Sequence, residues 1–184
     1  MIVLGIDPGS RTTGYAFLKI NVSPIQVLEY GVIKANLQKT AEYRILDIVS
    51  DLELLIKKYK PNALSMEGIF YAKNVKTALL LGHIRGAILL TCLKQGMSYH
   101  EYSPKSVKLA VTGRGGASKE SVAHMIQAHL QLKEISGLLD ASDALAIAWT
   151  HANPITEILK TNSPKKNNKQ EWKKLLLNAG IKDV

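Results

Sequence analysis

The sequence predicts a mixed α/β domain built on a five-stranded sheet, with three antiparallel strands followed by two parallel ones and helices flanking the sheet. Three short apolar stretches follow one another within the first 35 residues, and turn-forming Gly, Pro and Ser separate them. Two later apolar stretches each follow a long segment whose apolar residues recur at helical spacing. A strand that is reached through a helix runs parallel to the strand it joins. These patterns together indicate one layered α/β domain.

The first half of the chain supplies four of the strands. Residues 2–6 are apolar on both faces, which places this strand in the middle of the sheet, and Pro8 ends it directly after Asp7. Strands over 12–18 and 25–35 complete a meander. Thr40 can cap a helix that Pro61 ends, with apolar positions 45, 46, 49, 52, 55 and 56. Residues 63–66 form the fourth strand, and Glu67 stands at its end.

The second half contains one strand and most of the helices. Residues 74–94 form a long helix that is apolar on most faces, and its Gly82 and Gly86 lie one turn apart, where small residues let another backbone approach. Such a helix is either buried or part of a subunit interface. Residues 97–102 form the fifth strand and 104–111 a short helix. Ser118 can cap a helix that runs to residue 132, and residues 140–151 form the last core helix.

Composition limits the class of protein. The chain has 184 residues, 46% of them apolar, and a formal net charge of +9. This charge favours an anionic partner, nucleic acid first and an anionic membrane surface second, although an ordinary basic protein stays open. Cys92 is the only cysteine, which excludes a disulfide within the chain and fits a reducing compartment. The apolar stretch 78–93 is interrupted by His83 and Arg85 and is expected to fall short of a membrane span. We therefore expect a soluble, cytosolic protein.

The composition changes near residue 153. Residues 154–184 contain seven lysines and three acids, with no pattern typical of a core. We expect a folded domain over 1–153 and a basic, partly disordered tail over 154–184 with a short helix over 170–178.

Four acids occupy positions suited to metal chemistry. Asp7 and Glu67 end neighbouring parallel strands, so they meet at the sheet edge where open α/β sheets bind ligands. Asp140 and Asp143 share one face at the start of the last helix. If that helix packs at the same edge, four carboxylates converge and need cations. Mg²⁺ prefers carboxylate oxygens, and two such ions about 4 Å apart can clamp a phosphodiester.

Each acid also has a purely structural interpretation. Asp7 could form a turn, Glu67 could be a solvated strand end, Asp140 could cap its helix, and the helix dipole could favour Asp143 in the first turn. The histidines show no metal-binding spacing: His124 and His129 do not share a helix face well. Only the joint placement of the four acids in a basic protein favours a metal site.

Several segments at matching spacing resemble the RuvC family, bacterial Holliday-junction endonucleases of the ribonuclease H-like superfamily. The resemblance spans roughly residues 1–152 and rests on GIDPGSRTTGYA, EGIFYAKN, LGHIRGAILL, SPKSVKLAVTGRGGASK and LDASDALAIAWTH. It implies a ribonuclease H-like fold and a homodimeric nuclease that cuts four-way DNA junctions during recombination and repair. It also implies a bacterial, cytoplasmic, nucleoid-associated protein that works with the RuvA–RuvB branch-migration complex, with no membrane partner.

The resemblance also assigns residues. It implies that Asp7, Glu67, Asp140 and Asp143 are catalytic Mg²⁺ ligands, with two ions per site and Mn²⁺ able to substitute. The metals would activate a water for in-line attack, leaving 5′-phosphate and 3′-hydroxyl ends. The family pattern also implies four DNA-binding residues: Phe70, which would stack on unpaired bases, and Lys108, Lys119 and Arg114.

Each of these DNA-binding residues could instead have a purely structural role. Phe70 could be a core residue, and either lysine could be a solvated surface residue. Arg114 lies in a glycine loop that could equally be a flexible turn, and whether His151 contributes to the site stays open.

Three other functions compete with this one. A phosphotransferase of the actin and sugar-kinase superfamily begins with a similar strand and Asp but needs two such domains, and this chain has room for one. The shorter RuvC-like YqgF family shares the opening motif, yet EGIFYAKN and the long helix favour RuvC. A junction-binding protein without catalysis conflicts with the presence of all four acids.

Overall fold

The sheet contains five strands in the spatial order β3-β2-β1-β4-β5. The computed structural model describes residues 1–68, 74–133 and 139–153. Antiparallel pairing joins β1 to β2 and β2 to β3, and parallel pairing joins β1 to β4 and β4 to β5. The predicted fold class and the central place of the first strand are therefore confirmed. The strands are β1 (Ile2–Asp7), β2 (Thr12–Lys19), β3 (Gln26–Lys34), β4 (Ala63–Glu67) and β5 (Ser98–Tyr102).

Helices cover both faces of the sheet, and each face has its own apolar core. The first two helices pack on one face around Phe17 and Leu64, and the last three pack on the other around Val3 and Leu18. The predicted tail over 154–184 lies outside the described residues. The helices are α1 (Ala41–Tyr59), α2 (Val75–Lys94), α3 (Pro104–Thr112), α4 (Lys119–His129) and α5 (Leu139–Ala152).

Two details of helix α1 differ from the prediction. Thr40 is the N-cap residue, but its side chain accepts no capping hydrogen bond. Leu46 is 56% exposed, because the buried face consists of Ile48, Leu52 and Ile56 at four-residue spacing, and Leu46 lies about 200° around the helix from Ile48. The prediction therefore included Leu46 wrongly and left out the buried Ile48.

Helix α4 is shorter than predicted. It ends at His129, and Gln131 adopts a left-handed backbone conformation that a continuing helix cannot accommodate. Its N-cap was predicted correctly, because the Ser118 side chain accepts a hydrogen bond from the backbone N–H of Ser121.

Helix α5 lies unusually close to the sheet because two strand residues lack side chains. A Cβ atom on Gly5 would lie 2.3 Å from the backbone oxygen of Ala144, and one on Gly14 would lie 2.0 Å from that of Asp140. Farther along α5, the Ser65 hydroxyl donates a hydrogen bond to the backbone oxygen of Ile147 at 3.0 Å. These contacts fix the position of α5 over the centre of the sheet.

Helix α2 is, within the described ranges, the one helix long and apolar enough to cross a membrane by length and composition alone. The expectation that this stretch falls short of a span is wrong on those two criteria, since His83 and Arg85 do not lower its hydropathy enough. Ile84, Ile88 and Cys92 are nevertheless buried in the core of this domain. On the opposite side of α2, the apolar residues Leu79, Leu90 and Leu93 are exposed.

Candidate active site

Asp7 and Glu67 lie side by side at the carboxyl ends of β1 and β4. The two strands pair in register up to Ile6 and Met66, so the two acids occupy equivalent positions one residue later. Gly5 and Ser65, two residues before them, both face α5. Because side chains alternate along a strand, Asp7 and Glu67 also project toward α5.

Asp140 reaches the same edge through the first turn of α5. Gly14 pairs with Asp7 across the β1–β2 ladder, and the backbone of Asp140 lies directly over Gly14. The hydroxyl of Thr12, the first residue of β2, donates a hydrogen bond to Oδ2 of Asp140. The condition for convergence of the acids, that the last helix packs at the same edge, is thus met for Asp140.

Electrostatic coupling links the acids. The pKa of Asp7 is raised from 3.8 to about 7, first by burial and then by the charges of Asp143, Glu67 and Asp140. Burial, followed by the charge of Asp143, also raises the pKa of Glu67. The edge therefore carries more negative charge than its surroundings neutralise.

Two predicted lysines supply part of the missing positive charge. The Lys119 ammonium donates a hydrogen bond to Oδ2 of Asp143 at 2.9 Å. The charges of Lys119 and Lys108 offset part of the rise in the pKa of Glu67. A cavity of about 50 Å³ is lined by Glu67, Asp143 and both lysines. The structure thus places Lys108 and Lys119 beside the acids.

The donor set fits a hard divalent cation. Carboxylate oxygens are the ligands that Mg²⁺ prefers, and the raised pKa of Asp7 reflects its burial first and the charges of the neighbouring carboxylates second. Within residues 1–68, 74–133 and 139–153, however, no group of three or more His, Cys, Asp or Glu side chains is already arranged to hold one ion. The acids lie at one edge of the sheet, and their charges interact. The Lys119 ammonium is the cation that contacts Asp143.

Arg85, which the sequence analysis treated only as an interruption of an apolar helix, supports the end of β4. Its guanidinium donates hydrogen bonds to the backbone oxygen of Glu67, to the Tyr99 hydroxyl at 3.2 Å and to Oε2 of Glu101 at 3.3 Å. Only 12% of its side chain is exposed. A charged residue on an otherwise apolar helix was the available signal, because burying a charge is costly unless it is paired.

The remaining predicted residues are Phe70, Arg114 and His151. Phe70 is outside the described residues. Arg114 is exposed, in the turn between α3 and α4. His151 packs against β5: its Nδ1 lies 2.9 Å from the Tyr102 hydroxyl, and its ring centroid lies 4.4 Å from that of His100.

Gly14 and Thr12 are two further residues of this edge that were not predicted. A glycine within a strand often marks close approach of another backbone, so Gly14 carried a usable signal. Thr12 carried none, because its partner Asp140 is 128 residues away.

Comparison with known proteins gives a consistent result. A family profile described as crossover junction endodeoxyribonuclease RuvC matches residues 3–151. The crossover junction endodeoxyribonuclease RuvC of Chlorobaculum parvum is 46% identical over 149 residues, which cover 81% of this chain and 80% of that protein. The protein of the same name from Heliobacterium modesticaldum is 39% identical over 156 residues, covering 85% of this chain and 96% of the relative.

Solved structures agree in fold. The T. thermophilus RuvC in complex with Holliday junction substrate has a TM-score of 0.74 and 32% identity, covering 83% of this chain and 92% of that one. The yeast mitochondrial Holliday junction resolvase Ydc2 has a TM-score of 0.58 at 18% identity, over 82% of this chain and 77% of its own, a likeness in fold alone.

Proposed function

The chain belongs to the RuvC family of crossover junction endodeoxyribonucleases, and we propose that it resolves four-way DNA junctions at the edge formed by Asp7, Glu67, Asp140 and Asp143. The observation that carries the proposal is the placement of these acids, from three separate elements, beside Lys108 and Lys119. The net charge of +9 suits a nucleic-acid substrate.

The four acids would hold two Mg²⁺ ions, with Mn²⁺ able to substitute. When bound, these ions supply positive charge that stabilises the phosphate oxygens and acidifies water. Asp7, whose pKa is about 7 without metal, must release its proton to act as a ligand. Hydrolysis at this site would leave 5′-phosphate and 3′-hydroxyl ends.

The two lysines would act on the scissile phosphate. Lys119 comes from the start of α4 and Lys108 from α3, so both reach the acids from outside the sheet. A positive charge held where negative charge develops stabilises the transition state. Phe70 would stack on unpaired bases at the crossover, and exposed Arg114 would contact the DNA backbone.

A homodimer would place two such sites on two opposed strands of the junction, because the junction itself has twofold symmetry. The exposed stripe of α2 is the proposed interface: Leu79, Leu90 and Leu93 are 59%, 57% and 49% exposed. A Cβ on Gly82 or Gly86 would meet nothing within 4 Å in the described protomer, so packing within the protomer does not require these glycines. Glycines at this spacing instead allow a second helix to cross closely.

The cellular setting follows from the family. A bacterial enzyme acting on recombination intermediates works in the cytoplasm, at the nucleoid. The RuvA–RuvB branch-migration complex is the proposed partner that delivers junctions to it.

Nicking of a synthetic mobile four-way junction, with and without Mg²⁺, tests the proposal. We expect Mg²⁺-dependent paired nicks that a ligase can seal, and a loss of about 100-fold or more in Asp7→Asn, since the metals contribute several kcal/mol to transition-state stabilisation. Asp51→Asn, an exposed acid on α1, is the matched control and should nick at the native rate. Native nicking by Asp7→Asn would show that the acid cluster is not the catalytic centre.

A further inference from the structure

Thr12 contacts one of the four acids directly. Its Oγ1 donates a hydrogen bond to Oδ2 of Asp140, and the contact is partly buried. The two residues come from different elements, the start of β2 and the first turn of α5.

Strand geometry explains why Thr12 reaches Asp140. Residues two apart on a strand project to the same face, so Thr12 shares the α5 face with Gly14. Gly14 lets the backbone of Asp140 approach, since a Cβ there would lie 2.0 Å from the Asp140 carbonyl oxygen. Thr12, one position along that face, then meets the Asp140 carboxylate. The glycine provides the space and the threonine provides the hydrogen bond.

The neighbouring Thr13 serves as an internal comparison. It is fully buried, and its hydroxyl donates to the backbone oxygen of Gly9 at 3.2 Å, within the turn between β1 and β2. Two adjacent threonines thus have separate partners, one in the turn and one at the acidic edge. Donation to a carboxylate is specific to Thr12 within this pair.

A hydroxyl donor has a defined effect on a metal-binding carboxylate. A carboxylate has about four acceptor positions on two oxygens, so one donated hydrogen bond leaves Oδ1 and part of Oδ2 available to a cation. It also holds the carboxyl group in one orientation. Hydrogen bonds from outer residues to metal ligands usually change metal affinity or activity by about 10–100-fold.

We propose that Thr12 is a positioning residue that orients the Asp140 carboxylate for Mg²⁺ binding. The inference rests on the proposed function, because it assigns Asp140 to the metal site. It adds a residue from β2 to a site whose acids come from β1, β4 and α5.

The test compares Thr12→Val, which keeps the shape but removes the donor, with Thr12→Ser, which keeps the donor. The readouts are the Mg²⁺ concentration that gives half of the maximal increase in unfolding temperature, measured without DNA, and the Mg²⁺ concentration at half-maximal junction nicking. We expect both concentrations to rise about 10–100-fold in Thr12→Val and to stay near native in Thr12→Ser. The nicking rate of Thr12→Val should recover toward the native rate at saturating Mg²⁺.

The Asp140→Asn background separates positioning from general stability. There, Thr12→Val should cause no further change in the Mg²⁺ dependence, because the two residues act through one carboxylate. If Thr12→Val lowers the unfolding temperature in EDTA but leaves both Mg²⁺ midpoints native, Thr12 is merely structural and the inference is overturned. If Asp140→Asn itself keeps native Mg²⁺ midpoints, the assignment of Asp140 to the metal site fails, and this inference fails with it.

Discussion

The Lys119 ammonium lies 2.9 Å from Oδ2 of Asp143, so a cation from α4 contacts the acid cluster directly. The Lys119 side chain is 65% exposed and that of Asp143 is 21% exposed. The contact raises the pKa of Lys119, and the Lys119 charge in turn offsets part of the rise in the pKa values of Asp7 and Glu67. If metal ions neutralise the acids as proposed, an exposed lysine paired this way would be free to turn to a phosphate.

Replacing Lys119 should therefore affect catalysis far more than stability. We expect Lys119→Ala to lower single-turnover nicking of a mobile junction about 100-fold, as loss of a transition-state donor does. The free energy of unfolding should change by less than about 1 kcal/mol, since exposed ion pairs contribute little. Lys39→Ala, which removes an ion pair of 2.7 Å with Asp47 on the surface, is the matched control. Equal loss of nicking in both variants would assign Lys119 to general DNA attraction.

The stability of the metal-free protein should fall as pH rises. The folded-state pKa of Asp7 is about 7 against an ordinary value of 3.8, so between these values the folded state binds more protons than the unfolded state. At about 1.4 kcal/mol per pKa unit, this acid alone destabilises the protein by at most about 4 kcal/mol at pH 8 relative to pH 4. The raised pKa of Glu67 acts in the same direction.

Denaturant unfolding in EDTA over this pH range measures the effect. Asp7→Asn removes the titrating group, so its stability should depend less on pH and should exceed that of the native protein at pH 8. Asp51→Asn should keep the native pH dependence. A native pH dependence in Asp7→Asn would contradict the raised pKa.

Phe70 is assigned by family pattern to the DNA crossover. If it stacks on unpaired bases there, Phe70→Ala should lose much of the cleavage, because the lost stacking of about 1–3 kcal/mol per base would have stabilised the unpaired crossover that is cut. Binding of the paired junction does not depend on that stacking and should stay near native. Binding by gel shift in Ca²⁺ and cleavage in Mg²⁺ separate the two effects. Unchanged cleavage would indicate a core role for Phe70.

The sequence was sufficient for the fold and for the sheet edge that carries the candidate site, because both depend on local patterns and on the order of the strands. The two acids at strand ends follow from strand order alone, and the observed register of β1 and β4 places them side by side. The spacing of Asp140 and Asp143 places both on one face of the last helix. For them to approach the other two acids, that helix only had to pack at the same edge.

Contacts between distant segments could not be predicted. The hydrogen bond from Thr12 to Asp140 spans 128 residues, and the direction of the Arg85 side chain depends on the rotation of α2 about its axis. Leu46 shows the same difficulty on α1, because the apolar pattern alone does not tell which apolar residues face the core, and Leu46 lies on the exposed side.

Gly14 should tolerate no side chain. A Cβ atom at this position would lie 2.0 Å from the Asp140 carbonyl oxygen, which belongs to the backbone and cannot move without displacing α5. We expect Gly14→Ala to lower the free energy of unfolding by about 1–3 kcal/mol or more, as overpacking does. Nicking should fall as well, because Asp140 moves with the helix. Native stability and native nicking in this variant would contradict the close contact.

Gly86 should respond in the opposite way, because its open side faces solvent in the protomer. A Cβ there meets nothing within 4 Å, and leucine favours a helix over glycine by about 1 kcal/mol, so Gly86→Leu should not destabilise the fold. If two α2 helices cross at this glycine, the added side chain keeps them apart. We therefore expect Gly86→Leu to be a folded monomer by sedimentation equilibrium and circular dichroism.

Gly116→Leu provides the matched control for this interface. A Cβ on Gly116 likewise meets nothing within 4 Å, but the residue lies in the turn between α3 and α4, so this variant should stay dimeric. The Gly86→Leu monomer should also nick the two opposed strands independently rather than as a pair, since each of its sites acts alone. A dimer that persists in Gly86→Leu at the native dissociation constant would place the subunit interface elsewhere than α2.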